Sequence, residues 1–182
     1  STQFVAPVNL SDVFASSYGD YAEMEMIRSQ TPYPTVEKLE DFSRWRSEIL
    51  QGEVNDGNSF HLYKGVSGHA GLFSTAADLL TYGEEMLKSL TGDGYFDQQV
   101  LSTCLTVCRD PMQGLGFRNW IHNGDIEYWG HTGFPGVTLG FSPHQKSVVV
   151  LLTNRLLTRE VPEKTEDIFS EVRNVMRKRY LN

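Results

Sequence analysis

The sequence predicts an α+β fold in which helices come first, antiparallel strands follow, and a C-terminal helix packs on the sheet. Apolar residues recur at helical spacing before residue 110, and two pairs of short β-rich runs follow between residues 117 and 152. Helical spacing then returns after Thr165. We therefore expect one domain over residues 1–182. Residues 1–110 form its mostly helical and loop part, and residues 111–182 form the antiparallel sheet with the last helix.

Length, composition and net charge favour a folded globular protein and argue against a nucleic-acid-binding or membrane-spanning one. The chain has 182 residues, of which 40% are hydrophobic and 21% charged, so it can bury a core and is not expected to be disordered. A net charge of −7 leaves no surplus of Lys and Arg to neutralise phosphates, which argues against general nucleic-acid binding. No apolar run approaches the roughly 20 residues of a membrane-spanning helix.

The two cysteines, Cys104 and Cys108, lie four residues apart in a helix-like stretch. That spacing is poor for a disulfide within one helix, and no further Cys or nearby His completes a set of metal ligands. We expect buried free thiols, no metal and no cofactor. Because no disulfide is predicted, the cysteines do not indicate whether the protein works in an oxidising or a reducing compartment.

Apolar periodicity predicts four helices in the first part of the chain. They cover residues 21–29, residues 37–50, a stretch that begins after the capping pair Thr75 and Asp78, and a short stretch at 100–108. The apolar face of the second consists of Leu39, Phe42, Trp45, Ile49 and Leu50. The buried side of the third consists of Leu79, Leu80, Tyr82, Met86, Leu87 and Leu90.

Four strands are predicted in the second part. Residues 117–121 and 125–129 form a hairpin turned at His122-Asn123-Gly124, because Asn-Gly suits a tight two-residue turn. Residues 137–141 and 147–152 form a second hairpin, with Pro143 and polar residues between them. The final helix has an apolar face made of Ile168, Phe169, Val172, Val175, Met176 and Tyr180.

Two glycine-rich stretches carry the candidate site residues. Residues 128–140 contain four glycines and the triplet His131-Thr132-Gly133, which is predicted to lie at or just before the start of a strand. There it could offer backbone N–H groups, a hydroxyl and an imidazole to a substrate. The alternative is a glycine-rich strand entry with a buried His. The loop 65–73 holds His69, which either reaches a cleft or pins its own loop.

The first of these stretches, with Phe134-Pro135-Gly136 after the triplet, resembles the third motif of the serine β-lactamase and penicillin-binding-protein-like family, which is Lys-Thr-Gly or His-Thr-Gly. The block at residues 65–79 resembles that family's segment Gly-x-x-Gly-His-Ala-Gly-Leu-Phe-Ser-Thr-Ala-x-Asp-Leu. Asp56 and Asn58 resemble its His-Asp-x-Asn-Ala element, although Asn55 replaces the His; a self-capping turn is the alternative. The resemblance covers the chain from about Gly52 onward.

The resemblance implies roles for the triplet. His131 would assist proton transfer and bind a substrate carboxylate or carbonyl, and Thr132 would hydrogen-bond the substrate. Gly133 would leave room for it, and the N–H of Phe134 would be one oxyanion donor. His69 and Asn58 would help to bind the substrate. A His in place of Lys favours an esterase-like or peptidase-like hydrolase over a strict β-lactamase.

The family's nucleophile motif, Ser-x-x-Lys, is missing from these 182 residues, because no serine lies three residues before any of the six lysines. The sole Tyr-x-Asn, Tyr180-Leu181-Asn182, lies at the extreme C-terminus. The chain therefore resembles the C-terminal half of a family domain, and its N-terminal half would be its first partner. Such a chain would expose an apolar face and would tend to self-associate.

Three hypotheses of different class remain. The chain is part of a serine hydrolase, or a pseudoenzyme or interaction module that keeps the fold, or a self-contained enzyme with another nucleophile such as Ser67 or Ser74. The substrate would be a small molecule or a peptide: an ester, an amide, a D-alanyl peptide or a β-lactam. The resemblance implies an extracytoplasmic location if the parent protein is penicillin-binding-protein-like.

Overall fold

The computed structural model describes residues 2–4, 9, 13–31 and 34–180, except for the side chain of Tyr180. Leu181 and Asn182 of the Tyr-x-Asn motif lie outside the described residues. The chain forms two compact units. Unit 1 consists of Ser1–Ser74 and Thr153–Lys164, and unit 2 of Thr75–Leu152 and Thr165–Asn182. Helices and antiparallel sheets occur together, as the α+β prediction requires.

In its described residues, unit 1 contains a two-stranded antiparallel sheet and two helices. Its elements are β1 (Ala15–Tyr18), α1 (Tyr21–Ser29), a 3-10 turn (Leu39–Asp41), β2 (Ile49–Gln51) and α2 (Gly57–Tyr63). Helix α1 has the bounds that the sequence predicted. Strand β1 was missed, because its four residues are flanked by turn-forming residues and show no clear alternation.

The helix predicted over residues 37–50 is wrong. Only the 3-10 turn is helical there, and β2 begins at Ile49. The physical reason is the buried Asp20, whose carboxylate accepts the Arg46 backbone N–H at 2.8 Å and its guanidinium at 2.8 and 2.6 Å. Arg46 therefore gives its backbone donor to a side chain instead of a helical carbonyl. A tertiary ion pair outweighs the helical periodicity in this segment.

Unit 2 contains one four-stranded antiparallel sheet, in the order β3-β4-β5-β6, and three helices. Its elements are α3 (Ala76–Leu90), α4 (Gln98–Cys104), β3 (Arg118–His122), β4 (Asp125–Gly133), β5 (Val137–Ser142), β6 (Ser147–Leu152) and α5 (Thr165–Tyr180). Both predicted hairpins are present, as is the C-terminal helix.

Helices α3 and α5 pack on opposite faces of this sheet. Trp129 clusters with Met86 of α3, whereas its neighbour Tyr128 clusters with Phe169 of α5. Consecutive strand residues point to opposite faces, so the two helices enclose the sheet between them. The Thr75 hydroxyl caps α3 by accepting from the Asp78 N–H at 3.1 Å, as predicted. Leu80 and Tyr82 were assigned to its buried side and are instead exposed.

The β3–β4 hairpin has two special features. Asn123 and Gly124 both have positive φ, 51° and 91°, as a type I′ turn requires. Further along, Trp120 pairs with Tyr128 and Ile121 pairs with Ile126, so Glu127 is an extra residue in β4. This β-bulge turns Glu127 to the α5 side together with Tyr128. Its buried carboxylate accepts from Arg173 and Arg177 of α5.

Candidate functional site

His131, Thr132 and Gly133 are the last three residues of β4. The prediction that they lie at or just before the start of a strand is wrong, because they end β4, which begins at Asp125. The β3–β4 pairs end at Arg118 and Gly130, whereas β4 pairs with β5 as far as Gly133. Within the described residues, the triplet therefore pairs with a strand on one side only. Its other side is an open edge where an extended ligand backbone could lie.

The side chains of His131 and Thr132 point to opposite faces of the sheet. His131 lies two residues after Trp129, on the α3 face, and it is exposed. Thr132 lies on the α5 face, opposite Thr138 of β5. One ligand can meet both side chains only at the open edge or the strand end.

The His131 ring is held by its own strand. Its Nδ1 lies 2.7 Å from the Thr132 carbonyl oxygen. A carbonyl only accepts, so Nδ1 carries the hydrogen and the neutral ring keeps its lone pair on Nε2. Because the side chain is exposed, that nitrogen is accessible from solvent. The ring can therefore accept or donate a proton through Nε2 without losing the bond that orients it.

Gly133, the last residue of β4, lies where there is no room for a side chain. A β-carbon at this position would collide with the Val137 side chain on the facing strand. The Gly133 carbonyl accepts from the N–H of Gly136, at 3.1 Å, and from the hydroxyl of the buried Thr165 in α5, at 3.4 Å. Gly136 has φ 108°, which favours glycine. Phe134 lies in this turn with 41% of its surface exposed, and the role of its N–H as an oxyanion donor stays a prediction.

The other two candidates, His69 and Asn58, belong to unit 1. Asn58 is an exposed residue in the first turn of α2. His69 is also exposed, yet its Nε2 lies 3.2 Å from the carboxylate of Asp56, the residue that caps α2. The structure brings His69 to Asp56 and does not pair it with Asn58. This contact ties the loop to α2, and the roles of His69 and Asn58 in substrate binding stay predictions.

Sequence reasoning placed Ser67 beside His69 as an alternative nucleophile but missed Ser59 as a partner of the ring. The hydroxyl of Ser67 lies 3.2 Å from its Nδ1, and that of the buried Ser59 lies 3.3 Å from its Nε2. The spacing of Asp56 and Ser59 is a helix-capping pattern that could have predicted their hydrogen bond, 2.7 Å from the Ser59 N–H. No local signal predicted that the loop would bring Ser67 to Ser59.

Burial alone would raise the pKa of Asp56, but hydrogen bonds from Ser59 and His69 outweigh it and hold the pKa of that carboxyl below its ordinary value. The carboxylate therefore stays ionised near neutral pH.

Glu23 of α1 behaves in the opposite way. Its Oε1 accepts from the Gly57 N–H at 2.9 Å, but burial, with smaller contributions from Asp20 and Asp56, raises the pKa of Glu23 above its ordinary 4.5. The folded state then binds this proton more tightly than the unfolded state. Glu23 therefore stabilises the fold less as the pH rises from below 4.5 through the raised pKa.

Glu23→Gln should consequently raise the urea midpoint of unfolding at pH 7, because the amide oxygen can still accept from Gly57 while the desolvated charge is gone. The gain should shrink at pH 4. Unfolding curves of both variants at the two pH values test this. Glu48→Gln, at an exposed position in the same unit, is the control and should leave the midpoint unchanged. Equal midpoints for wild type and Glu23→Gln at pH 7 would contradict the prediction.

The described part of the chain offers neither a cluster of metal-binding side chains nor a membrane-spanning helix. No group of three or more His, Cys, Asp or Glu side chains there could hold a metal ion. None of its helices combines the length and the apolar character that crossing a bilayer requires.

Comparison with known proteins gives the family. The model of the family described as Beta-lactamase matches residues 11–173, well upstream of the Gly52 at which the motif resemblance begins. The chain is 34% identical over 142 residues to a Bacillus subtilis (strain 168) protein named N-acetylmuramyl-L-alanine amidase, which covers 70% of this chain and 32% of that protein. It is 31% identical over 132 residues to an Escherichia coli (strain K12) protein with the provisional name D-alanyl-D-alanine carboxypeptidase. That match covers 63% of this chain and 29% of that protein.

The chain thus spans about a third of the length of these relatives. No solved structure matches it. The family match covers most of the chain and contains both motif blocks as well as the open strand end. The chain belongs to the β-lactamase family of hydrolases.

Proposed function

We propose that this chain is the C-terminal part of a single β-lactamase-like domain that hydrolyses an ester, an amide, a D-alanyl peptide or a β-lactam through an acyl-serine. The nucleophilic serine and its lysine would come from a Ser-x-x-Lys segment outside these 182 residues. Peptide amides are the favoured class, because the relatives are named as an amidase and a carboxypeptidase.

One observation carries this proposal: the exposed ring of His131 is oriented by its own backbone at an open strand end. A substrate lying along that edge would pair with the backbone of β4 and would meet Nε2 of His131 on one side. The ring would then exchange a proton during acyl transfer, and Thr132 would hydrogen-bond the substrate from the other face. The Phe134 N–H would complete the oxyanion site together with the serine N–H.

The test is turnover by this chain extended upstream through its own reading frame, with a D-alanyl-D-alanine peptide, p-nitrophenyl acetate and a chromogenic cephalosporin as substrates. His131→Ala should lower kcat/KM by about a hundredfold, the scale of a lost acid–base group. It should leave the free energy of unfolding unchanged, because the side chain is exposed. His131→Lys, which restores the residue of related motifs, should recover part of the activity.

His122→Ala is the matched control, since it removes an exposed imidazole from another strand of the same sheet. It should not change turnover. Unchanged turnover in His131→Ala would refute the role of His131. A reading frame with no upstream Ser-x-x-Lys, or an extended chain that turns over none of the three substrates, would instead favour a pseudoenzyme that keeps the fold as an interaction module.

A further inference from the structure

A second group of residues that could take part in catalysis lies in unit 1, whereas the end of β4 belongs to unit 2. Ser67, His69 and Asp56 form one hydrogen-bonded chain. The Ser67 hydroxyl lies 3.2 Å from His69 Nδ1, and His69 Nε2 lies 3.2 Å from the Asp56 carboxylate. A hydroxyl, an imidazole and a carboxylate in this order are the parts of an activated serine. The ring is turned relative to the usual arrangement, with the serine on Nδ1.

The hydrogen-bond directions favour activation when His69 is neutral. The Asp56 carboxylate only accepts, so Nε2 carries the ring hydrogen and Nδ1 keeps its lone pair. The Ser67 hydroxyl can then donate to Nδ1. Three further groups lie within reach of the Ser67 oxygen: the buried Ser59 hydroxyl at 2.6 Å, the Ala70 N–H at 3.3 Å and the Ala70 carbonyl oxygen at 3.2 Å. The first two can donate to the Ser67 oxygen, whereas the carbonyl competes with Nδ1 of His69 for the Ser67 hydrogen.

There is also room for a reacting group. Ser67 is only half buried, and 58% of the His69 side chain is exposed. A β-carbon placed on Gly68 would have no atom within 4 Å, so the space beside the serine is open. Within the described residues, the N–H groups of Gly68 and His69 have no hydrogen-bond partner. They are candidate donors for an oxyanion that forms next to Ser67.

We propose that Ser67 is a nucleophilic serine that takes up an acyl or phosphonyl group from a small activated electrophile, with His69 as the general base and Asp56 as the residue that orients its ring. This goes beyond the function proposed above, which depends on His131 and on a serine from outside the chain.

The reaction with a fluorophosphonate illustrates the step. The Ser67 oxygen attacks phosphorus, a P–O bond forms, the P–F bond breaks and fluoride leaves. The hydroxyl proton passes to Nδ1 of His69 and from there to water. No oxidant, reductant or metal is needed.

The test is treatment of the 182-residue chain with an ethoxy fluorophosphonate, followed by intact mass and peptide mapping. We expect one adduct per chain, on Ser67. Ser67→Ala should abolish it, and His69→Gln should slow its formation at least tenfold. Asp56→Asn should slow it several-fold while keeping the α2 cap, because an amide oxygen also accepts from the Ser59 N–H.

Ser74→Ala is the matched control, because that serine follows the same loop but has its hydroxyl 2.8 Å from that of Thr2. Its labelling should equal that of wild type. Circular dichroism of each variant shows whether it is folded. The proposal is overturned by three results: no adduct on the wild-type chain, an adduct on another residue, or labelling of Ser67 at an undiminished rate in a folded His69→Gln variant. The labelling of the wild-type chain tests the proposal by itself, so the absence of an adduct there refutes it even if a variant fails to fold.

Discussion

Replacing Glu127 by glutamine is expected to lower the free energy of unfolding by about 3 kcal/mol. The carboxylate is 3% exposed and is shared by Arg173 and Arg177, whose side chains are 10% and 18% exposed. Glutamine has nearly the same volume, so packing hardly changes. What changes is charge, since two guanidinium groups are left in a low-dielectric site without a counter-ion. Urea unfolding at neutral pH measures the loss.

Glu166→Gln is the control for that experiment. Its carboxylate also accepts from an arginine, Arg118, but the two side chains are 36% and 32% exposed, and the amide oxygen can still accept from Trp120. Its loss should be at most about 1 kcal/mol, the scale of a solvated ion pair. Apolar residues at all three positions of the Glu127 cluster should recover most of the lost stability. Equal effects of Glu127→Gln and Glu166→Gln would show that burial does not strengthen the first pair.

Phe169→Ala should be still more damaging, with a loss of about 4 kcal/mol. The ring is fully buried between α5 and the sheet. Its centroid lies 4.7 Å from that of Trp120 and 6.4 Å from that of Tyr128, both in edge-to-face contact. Alanine would leave a cavity under rings that are themselves held by the strands, so the site cannot collapse to fill it.

Val175→Ala on the same helix controls for the change in helix propensity. This valine is 56% exposed, and its truncation should change the free energy of unfolding by less than about 0.5 kcal/mol. Phe169→Leu should lie between the two. If Phe169→Ala cost no more than Val175→Ala, the packing of α5 on the sheet would contribute little to stability.

Unit 2 was largely predictable because its signals are local. The Asn123-Gly124 turn predicts one hairpin, and the alternation of apolar and polar residues predicts the strands. Phe169 belongs to the apolar face whose helical spacing predicts the last helix. The Thr75 cap was equally visible, since its bond to Asp78 spans three residues. In each case the interacting groups lie within a few residues of one another.

The wrong helix has a non-local cause. The segment at 37–50 has helical periodicity, but Arg46 is drawn to Asp20, 26 residues away. At the candidate site, the triplet His131-Thr132-Gly133 was recognised, but its place at a strand end was not, because glycine and proline after Gly133 were taken to precede the strand. Ser67 and His69 are neighbours in sequence, but the approach of Asp56 to His69 depends on a loop closing over α2, which spacing alone does not reveal.

The bulge at Glu127 has a consequence for how relatives of this chain are compared. Tyr128 and Ile126 pair with consecutive residues of β3, so removing Glu127 would leave the hairpin register and the face of each remaining side chain as they are. A one-residue length difference at this point is compatible with the same sheet. Alignments of β4 should therefore open a gap at residue 127 rather than shift the strand. Otherwise His131 would be matched to residues on the wrong face.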